Sequence, residues 1–216
     1  MNSRAIISSC IARKMIFILS PAILLLAGCG TDRGTSQESH YFYLNPSADL
    51  TSIGRVAVVE LYNDSSYPQM SSEVTESLFN ALQKKQVFGL TIVKQNDPSW
   101  RSLRLDLDTS YSHEQIRSMR ETLKCDGVLI GTITKFRPYP HMAVGLRMRL
   151  LDLRDGRLVW AIEQVWDITD KKTEHQIRKY YSSEKNLSSV PLQEHLAAVS
   201  PMEFIKYVSF EVAETL

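Results

Sequence analysis

The sequence predicts a single α/β domain, with a tendency to α+β, in which helices flank a mixed sheet. Two largely apolar runs of strand length, at residues 56–61 and 128–133, are typical of central strands covered on both faces. Residues 144–150 alternate apolar and polar side chains ahead of an Asp-Gly pair, which predicts an antiparallel hairpin. Apolar residues at helical spacing separate and follow these strands, so the predicted order is β-α-β-α-β-β-β-α.

The first strand leads into a helix predicted over residues 71–86, where Leu78 and Leu82 recur on one side. A second strand is predicted over residues 87–93. Residues 96–110 form an irregular connection, with either a short edge strand or an amphipathic turn within it.

Start signals mark two later helices. Ser112 and Gln115 have the spacing of a capping box, in which each side chain bonds the backbone N–H of the other residue. At the last helix, Ser200 suits the N-cap, Pro201 suits the first helical position, and Glu203 completes a second box.

The return strand of the hairpin, over residues 158–167, carries apolar residues on both faces. Another element must therefore pack on its second face. The candidates are the last helix, residues 41–43 and another protein. Residues 170–183 predict a charged helix, whereas residues 184–199 give no single prediction.

The composition agrees with a globular domain. The 216 residues are 44 % hydrophobic and 23 % charged, which argues against a largely disordered chain and a polytopic membrane protein. The formal net charge of +1 also argues against a nucleic-acid partner, since nucleic-acid binders usually have a basic excess.

The first 28 residues have the three parts of a secretory signal peptide. A basic start precedes an apolar run at residues 15–26, which is shorter than the roughly 20 residues of a spanning helix. The run ends in a segment that resembles the bacterial lipobox, formed by Leu26, Ala27, Gly28 and Cys29. We therefore predict a lipoprotein signal peptide over residues 1–28; the alternative is an ordinary signal peptide with a cysteine near its cut.

The lipobox resemblance implies cleavage between Gly28 and Cys29 and lipid attachment at Cys29. Because several acyl chains hold a protein firmly on a bilayer, the membrane is an expected partner through this anchor. Gly30 rather than aspartate follows the cysteine, which indicates the periplasmic side of the outer membrane under the sorting rule of enteric lipoproteins. No acidic residue precedes Cys29, whereas three of the basic ones do, so the mature chain would be weakly acidic.

Residues 29–53 are predicted to hold the lipidated cysteine and a tether or docking segment, and residues 54–216 the α/β domain. The tether is rich in small and polar residues up to His40. Three aromatic residues then follow in a row, which indicates docking either on the domain or on a partner.

Few residues point to catalysis. The sequence lacks the HExxH, G-x-S-x-G, P-loop and G-x-G-x-x-G motifs. We therefore predict no enzyme activity and no catalytic, cofactor-binding or metal-binding residues. The alternative is an anchored hydrolase with a site near His141, Asp126 or Cys125, although Cys125 is expected to be a small buried side chain.

Large aromatic residues form a candidate interaction surface, although most aromatic residues at such positions belong to a core. The candidates are Tyr41, Phe42, Tyr43, Tyr139, Trp160 and Trp166.

A resemblance to a known family follows from three segments. They are the strand that leads from Arg55 to Asn63, the strand over residues 125–133, and the hairpin over residues 150–161. Together these segments resemble the periplasmic lipoprotein domains of the curli-secretion channel (CsgG-like) and penicillin-binding-protein activator (LpoB-like) group. The connection over residues 96–110 is too short and interrupted for a channel's barrel hairpins.

The resemblance implies an envelope protein without catalytic residues. We therefore expect an outer-membrane-anchored periplasmic lipoprotein that acts as a non-enzymatic interaction or assembly module. Its expected partners are envelope proteins, with self-association as a further candidate. Regulation of a cell-wall synthase and a membrane-anchored hydrolase are the alternative functions.

Overall fold

The computed structural model describes residues 42–103, 105, 107–108, 110–184 and 200–216. The predicted signal peptide, Cys29, Tyr41 and residues 185–199 of the ambiguous segment lie outside the described residues.

Within these ranges, the chain forms seven strands and five α-helices, with a short 3₁₀ helix at Leu50–Ser52. In chain order they are β1 (Phe42–Leu44), β2 (Arg55–Val59), β3 (Tyr62–Asn63), α1 (Met70–Lys85), β4 (Gly89–Val93), α2 (Pro98–Leu103), α3 (His113–Leu123), β5 (Gly127–Arg137), β6 (Ala143–Asp152), β7 (Leu158–Asp167), α4 (Lys171–Glu184) and α5 (Pro201–Glu214).

All seven strands belong to one mixed sheet, in the order β1-β7-β6-β5-β2-β4, with β3 paired to β5 beside β2. The strands β5, β2 and β4 are parallel to one another, whereas β1, β7, β6 and β5 alternate in direction. The predicted class, a mixed sheet flanked by helices in a single α/β domain, is confirmed. The short elements β1, β3 and α2 are additions to the predicted order, which also has one helix after the last strand where the structure has two. The helix α4 matches the charged helix predicted over residues 170–183.

The larger core lies between one face of the sheet and the helices α1, α4 and α5. Helices α1 and α5 also contact each other. The apolar spacing of α1 places Leu78 and Leu82 in this core, as predicted. Tyr207 of α5 lies there with an exposed fraction of 0 %, and burial raises the pKa of its phenol far above the usual range.

The smaller core lies on the other face, under α2, α3 and the residues that join them. Leu105 and Leu107 are buried here. The helix α2 takes up part of the connection over residues 96–110, and the described residues 105, 107 and 108 belong to no strand, so the structure does not show the edge strand considered there. Cys125 also lies in this core with 3 % exposure, as predicted for a small buried side chain. The smaller core ends at β5 and at the final residues of β6. The rest of β6, and β7 beyond its first residue, lie outside this core.

The two predicted capping boxes have different outcomes. At α3 the Gln115 backbone N–H donates to Ser112 Oγ at 3.3 Å, and the Ser112 N–H donates to Gln115 Oε1 at 2.7 Å. The first box is therefore confirmed. At α5, Pro201 begins the helix as predicted, but the Ser200 side chain makes no capping hydrogen bond. The second box is wrong because Glu203 instead forms an ion pair with Lys206.

The turn between β6 and β7 is fixed by Asp152 and Gly156. Gly156 has a φ of 76°, which glycine adopts at low cost, so the predicted Asp-Gly turn is confirmed. Asp152 is 6 % exposed and accepts hydrogen bonds from the Arg154 backbone N–H at 2.8 Å and from its guanidinium. Burial alone would raise the pKa of Asp152, but the hydrogen bonds from Arg154 outweigh it and hold the pKa below its usual value.

The Asp152 carboxylate should make the folded state sensitive to acid. A pKa that is lower in the folded than in the unfolded chain stabilises the fold above the unfolded value of about 3.9, and this stability is lost as the pH falls through the folded value. In urea titrations between neutral and acidic pH, Asp152→Asn should therefore be less stable than the wild type at neutral pH, and this gap should narrow in acid. The exposed Asp64→Asn is the control, and a gap that stays constant with pH would contradict the prediction.

Candidate interaction surface

The aromatic segment after the tether joins the sheet as β1. Phe42, Tyr43 and Leu44 pair antiparallel with Ile162, Ala161 and Trp160 of β7. The backbone N–H of Asn45 then donates to Val159 O at 2.8 Å. The sequence left open whether this segment docks on the domain or on a partner. The structure shows that it docks on the domain.

The side chains of β1 alternate across the sheet. Phe42 is half-buried and packs against the larger core. Tyr43 points to the opposite face and is 47 % exposed, and Leu44 is 39 % exposed. The side chain of Tyr43 is thus available to a partner although its backbone is paired.

Two of the predicted surface residues belong to the core. Trp160 is 0 % exposed and Trp166 is 1 % exposed. Both project from β7 onto the face that α5 covers, where Trp160 Nε1 donates to Thr215 Oγ1 at 3.0 Å. The assignment of these two residues to an interaction surface is therefore wrong, since the last helix supplies the cover that the return strand needed.

Tyr139 is the most exposed large hydrophobic residue of the described ranges, at 65 %. It lies in the loop between β5 and β6, flanked by Pro138 and Pro140. At the base of this loop, Arg137 Nη2 lies 2.9 Å from Asp167 Oδ2. The ion pair joins the ends of β5 and β7.

The sequence analysis missed an open part of the sheet that Tyr43 borders. On this face, Val165 is 49 % exposed, and Arg147 and Arg149 are half-buried. Neither core includes these side chains. We call this surface the open face; its residues are Tyr43, Arg147, Arg149, Ala161, Glu163 and Val165. The alternation of Ala161, Glu163 and Val165 along β7 was the signal that could have found it.

The charges of the open face are partly paired. Arg147 Nη2 lies 3.0 Å from Asp108 Oδ2, at the border with the smaller core. Arg147 is directly opposite Glu163 on the neighbouring strand, a position that favours attraction. The face therefore combines a tyrosine and a valine with two arginines and one glutamate, a composition suited to a protein partner.

The residues of the alternative hydrolase site are far apart. Cys125 and Asp126 precede β5, and His141 follows it, so the 11-residue strand places about 33 Å between them. Burial raises the pKa of the Cys125 thiol, and Asp126 Oδ1 lies 3.0 Å from Arg120 Nη2. These residues do not form one site.

Neither a metal-binding cluster nor a membrane-spanning helix occurs in the part of the chain that the structure describes. No three His, Cys, Asp or Glu side chains come together there as ligands for a metal ion. In the same ranges, no helix combines the length and the apolar character needed to cross a bilayer.

Comparisons with known proteins give partial structural similarities. No protein-family model matches the chain, and no curated protein matches it. The PelC dodecamer from Paraburkholderia phytofirmans is similar at a TM-score of 0.43 and 17 % identity, over 58 % of this chain and 78 % of that one. Lipoprotein GNA1162 from Neisseria meningitidis has a TM-score of 0.42 and 13 % identity, over 62 % and 99 % of the two chains.

LpoB from E. coli is also similar, with a TM-score of 0.39 and 21 % identity over 52 % of this chain and 57 % of that one. The similar structures thus include a lipoprotein and a member of the LpoB-like group that the sequence resembles. At these TM-scores the similarity carries no argument about what this chain binds.

Proposed function

We propose that this chain is a lipoprotein of the bacterial outer membrane whose α/β domain binds envelope proteins on the periplasmic side without catalysing a reaction. One observation carries the proposal: Leu26, Ala27, Gly28 and Cys29 follow a basic start and a short apolar run. In this proposal, residues 1–28 are the signal peptide, residues 29–53 hold the lipidated cysteine, the tether and the docked strand β1, and residues 54–216 form the rest of the domain.

The open face supports a binding role for the domain. Tyr43 and Val165 expose about half of their surfaces on strands whose backbones are paired to a neighbour. Aromatic side chains on a rigid support contribute large contact areas at a low cost in conformational entropy. We propose that these two residues, together with Tyr139 on its loop, contact the partner.

The anchor is tested by metabolic labelling with a fatty-acid probe. The wild-type chain should become labelled and should sediment with membranes, whereas Cys29→Ser should lose the label and leave the membrane fraction. Cys125 is buried and serves as an internal control, because the label should persist in Cys125→Ser. Label that is retained in Cys29→Ser would contradict the anchor.

The binding role is tested by a photoreactive amino acid placed at Val165 or Tyr43 in intact cells. Each position should give a discrete adduct with an envelope protein. Met202 of α5 is the matched control because it is 39 % exposed on a different surface. Equal adducts at all three positions, or none, would contradict the proposed surface. Identifying the adduct separates a cell-wall synthase from other envelope partners.

A further inference from the structure

The strand β4 forms the edge of the sheet opposite to β1. It pairs with β2 in parallel, where the Gly89 N–H donates to Gly54 O at 3.0 Å and the Glu60 N–H donates to Val93 O at 2.8 Å. Backbone groups alternate in direction along a strand. Gly89, Thr91 and Val93 therefore face β2, and Leu90 and Ile92 direct their N–H and C=O groups outward.

The strand β4 lacks the charges, the proline and the bulge by which proteins often protect an edge strand. Residues 87–93 contain no charged residue and no proline, and β4 stays in register with β2 over five consecutive pairs without a bulge. By contrast, the β1 edge has only three residues. Long, uncharged edges with high β-propensity pair readily with another strand. Within the described residues, no other strand pairs with β4.

We propose that β4 pairs antiparallel with β4 of a second copy of this chain, about a two-fold axis at Thr91. The outward groups of Leu90 and Ile92 are placed symmetrically around Thr91, so each residue can donate to and accept from the other residue of the second copy. The pairing forms four backbone hydrogen bonds. It is self-complementary, as a two-fold interface requires, and it joins two sheets into one closed dimer.

The side chains fit the same register. Leu90 and Ile92 lie opposite Val56 and Val58 of β2, on the face of the larger core, and both are half-buried. In the dimer, Leu90 of one copy meets Ile92 of the other, beside the half-buried Phe88. No charge faces a like charge between residues 87 and 93. Thr91 meets its own counterpart as the closer, non-hydrogen-bonded pair, with a Cα separation of about 4.5 Å.

The inference goes beyond the proposed function by naming a second copy of this chain as a partner, and it rests on that function only for the envelope setting. Its test is symmetric disulfide formation by Thr91→Cys in the full chain, secreted to the oxidising periplasm. A Cα separation of about 4.5 Å lies within the range of a disulfide. Thr134→Cys, on the exposed end of β5, is the matched control for random collision.

Thr91→Cys should give a covalent dimer on non-reducing gels at a level about tenfold or more above Thr134→Cys, because paired thiols have a high effective concentration. The wild-type chain, purified in mild detergent, should have the mass of a dimer. Thr91→Lys should be monomeric with an unchanged circular dichroism spectrum, since it places like charges in the closest pair.

A monomeric wild type, or cross-linking no stronger than that of Thr134→Cys, overturns the inference. Neither result depends on labelling at Cys29 or on adducts at Val165, so failure of the dimer is distinguishable from failure of the proposed function.

Discussion

Replacing Trp160 with alanine is expected to lower the free energy of unfolding by about 3–5 kcal/mol. The indole is 0 % exposed in the larger core, and its Nε1 donates to Thr215 Oγ1 at 3.0 Å. The variant therefore leaves a cavity at the junction of β7 and the end of α5, and it also removes a hydrogen bond. Urea unfolding followed by circular dichroism measures the loss.

Two variants separate the sources of this loss. Thr215→Val removes the acceptor of the indole N–H and should cost only about 1 kcal/mol. Val165→Ala, on the exposed side of the same strand, should change stability by less than about 0.5 kcal/mol. If Trp160→Ala were no more destabilising than Val165→Ala, the burial of the indole under α5 would be wrong.

Gly131→Val is expected to be destabilising by about 3 kcal/mol, for the opposite physical reason. A Cβ at Gly131 would lie 2.7 Å from Met148 Cγ, 2.8 Å from Leu61 Cδ2 and 3.1 Å from the Arg147 carbonyl oxygen. Side chains and the backbone of the neighbouring strand must move to admit even one methyl group. Urea unfolding of the alanine and valine variants measures the effect.

The ranking of Gly131→Ala and Gly131→Val by free energy of unfolding identifies the cause of the destabilisation. Intrinsic strand propensity favours valine over alanine and alanine over glycine, so propensity alone predicts a gain in stability with size. Crowding predicts a loss that grows from Gly131→Ala to Gly131→Val. Thr134→Gly, further along β5 and exposed to solvent, should cost at most about 1 kcal/mol and measures the propensity effect without crowding. A stabilising Gly131→Val would exclude the crowding.

Local sequence patterns predicted the central elements of the fold. The apolar runs of β2 and β5 and the Asp-Gly turn at Gly156 carry their information within a few neighbouring residues. The capping box of Ser112 and Gln115 is equally local. These signals were sufficient for the fold class because each one is set by the backbone geometry of a single element.

The candidate surface depended on long-range contacts and was only partly predictable. The sequence shows that Trp160 and Val165 lie on opposite faces of one strand, but it does not show which face α5 covers. That choice is fixed by the packing of α5 from about 40 residues further along the chain. The pairing of β1 with β7 is likewise non-local, since 116 residues separate the first residues of the two strands.

The docking of β1 has a consequence for binding strength. Since the sheet begins at Phe42, a lipid on Cys29 would hold the domain by a chain of 13 residues, which spans at most about 45 Å. A partner in the same membrane would then meet the open face at an effective concentration in the millimolar range. Contacts that are weak between free molecules would suffice there, and most of the apparent affinity would be lost when the anchor is removed.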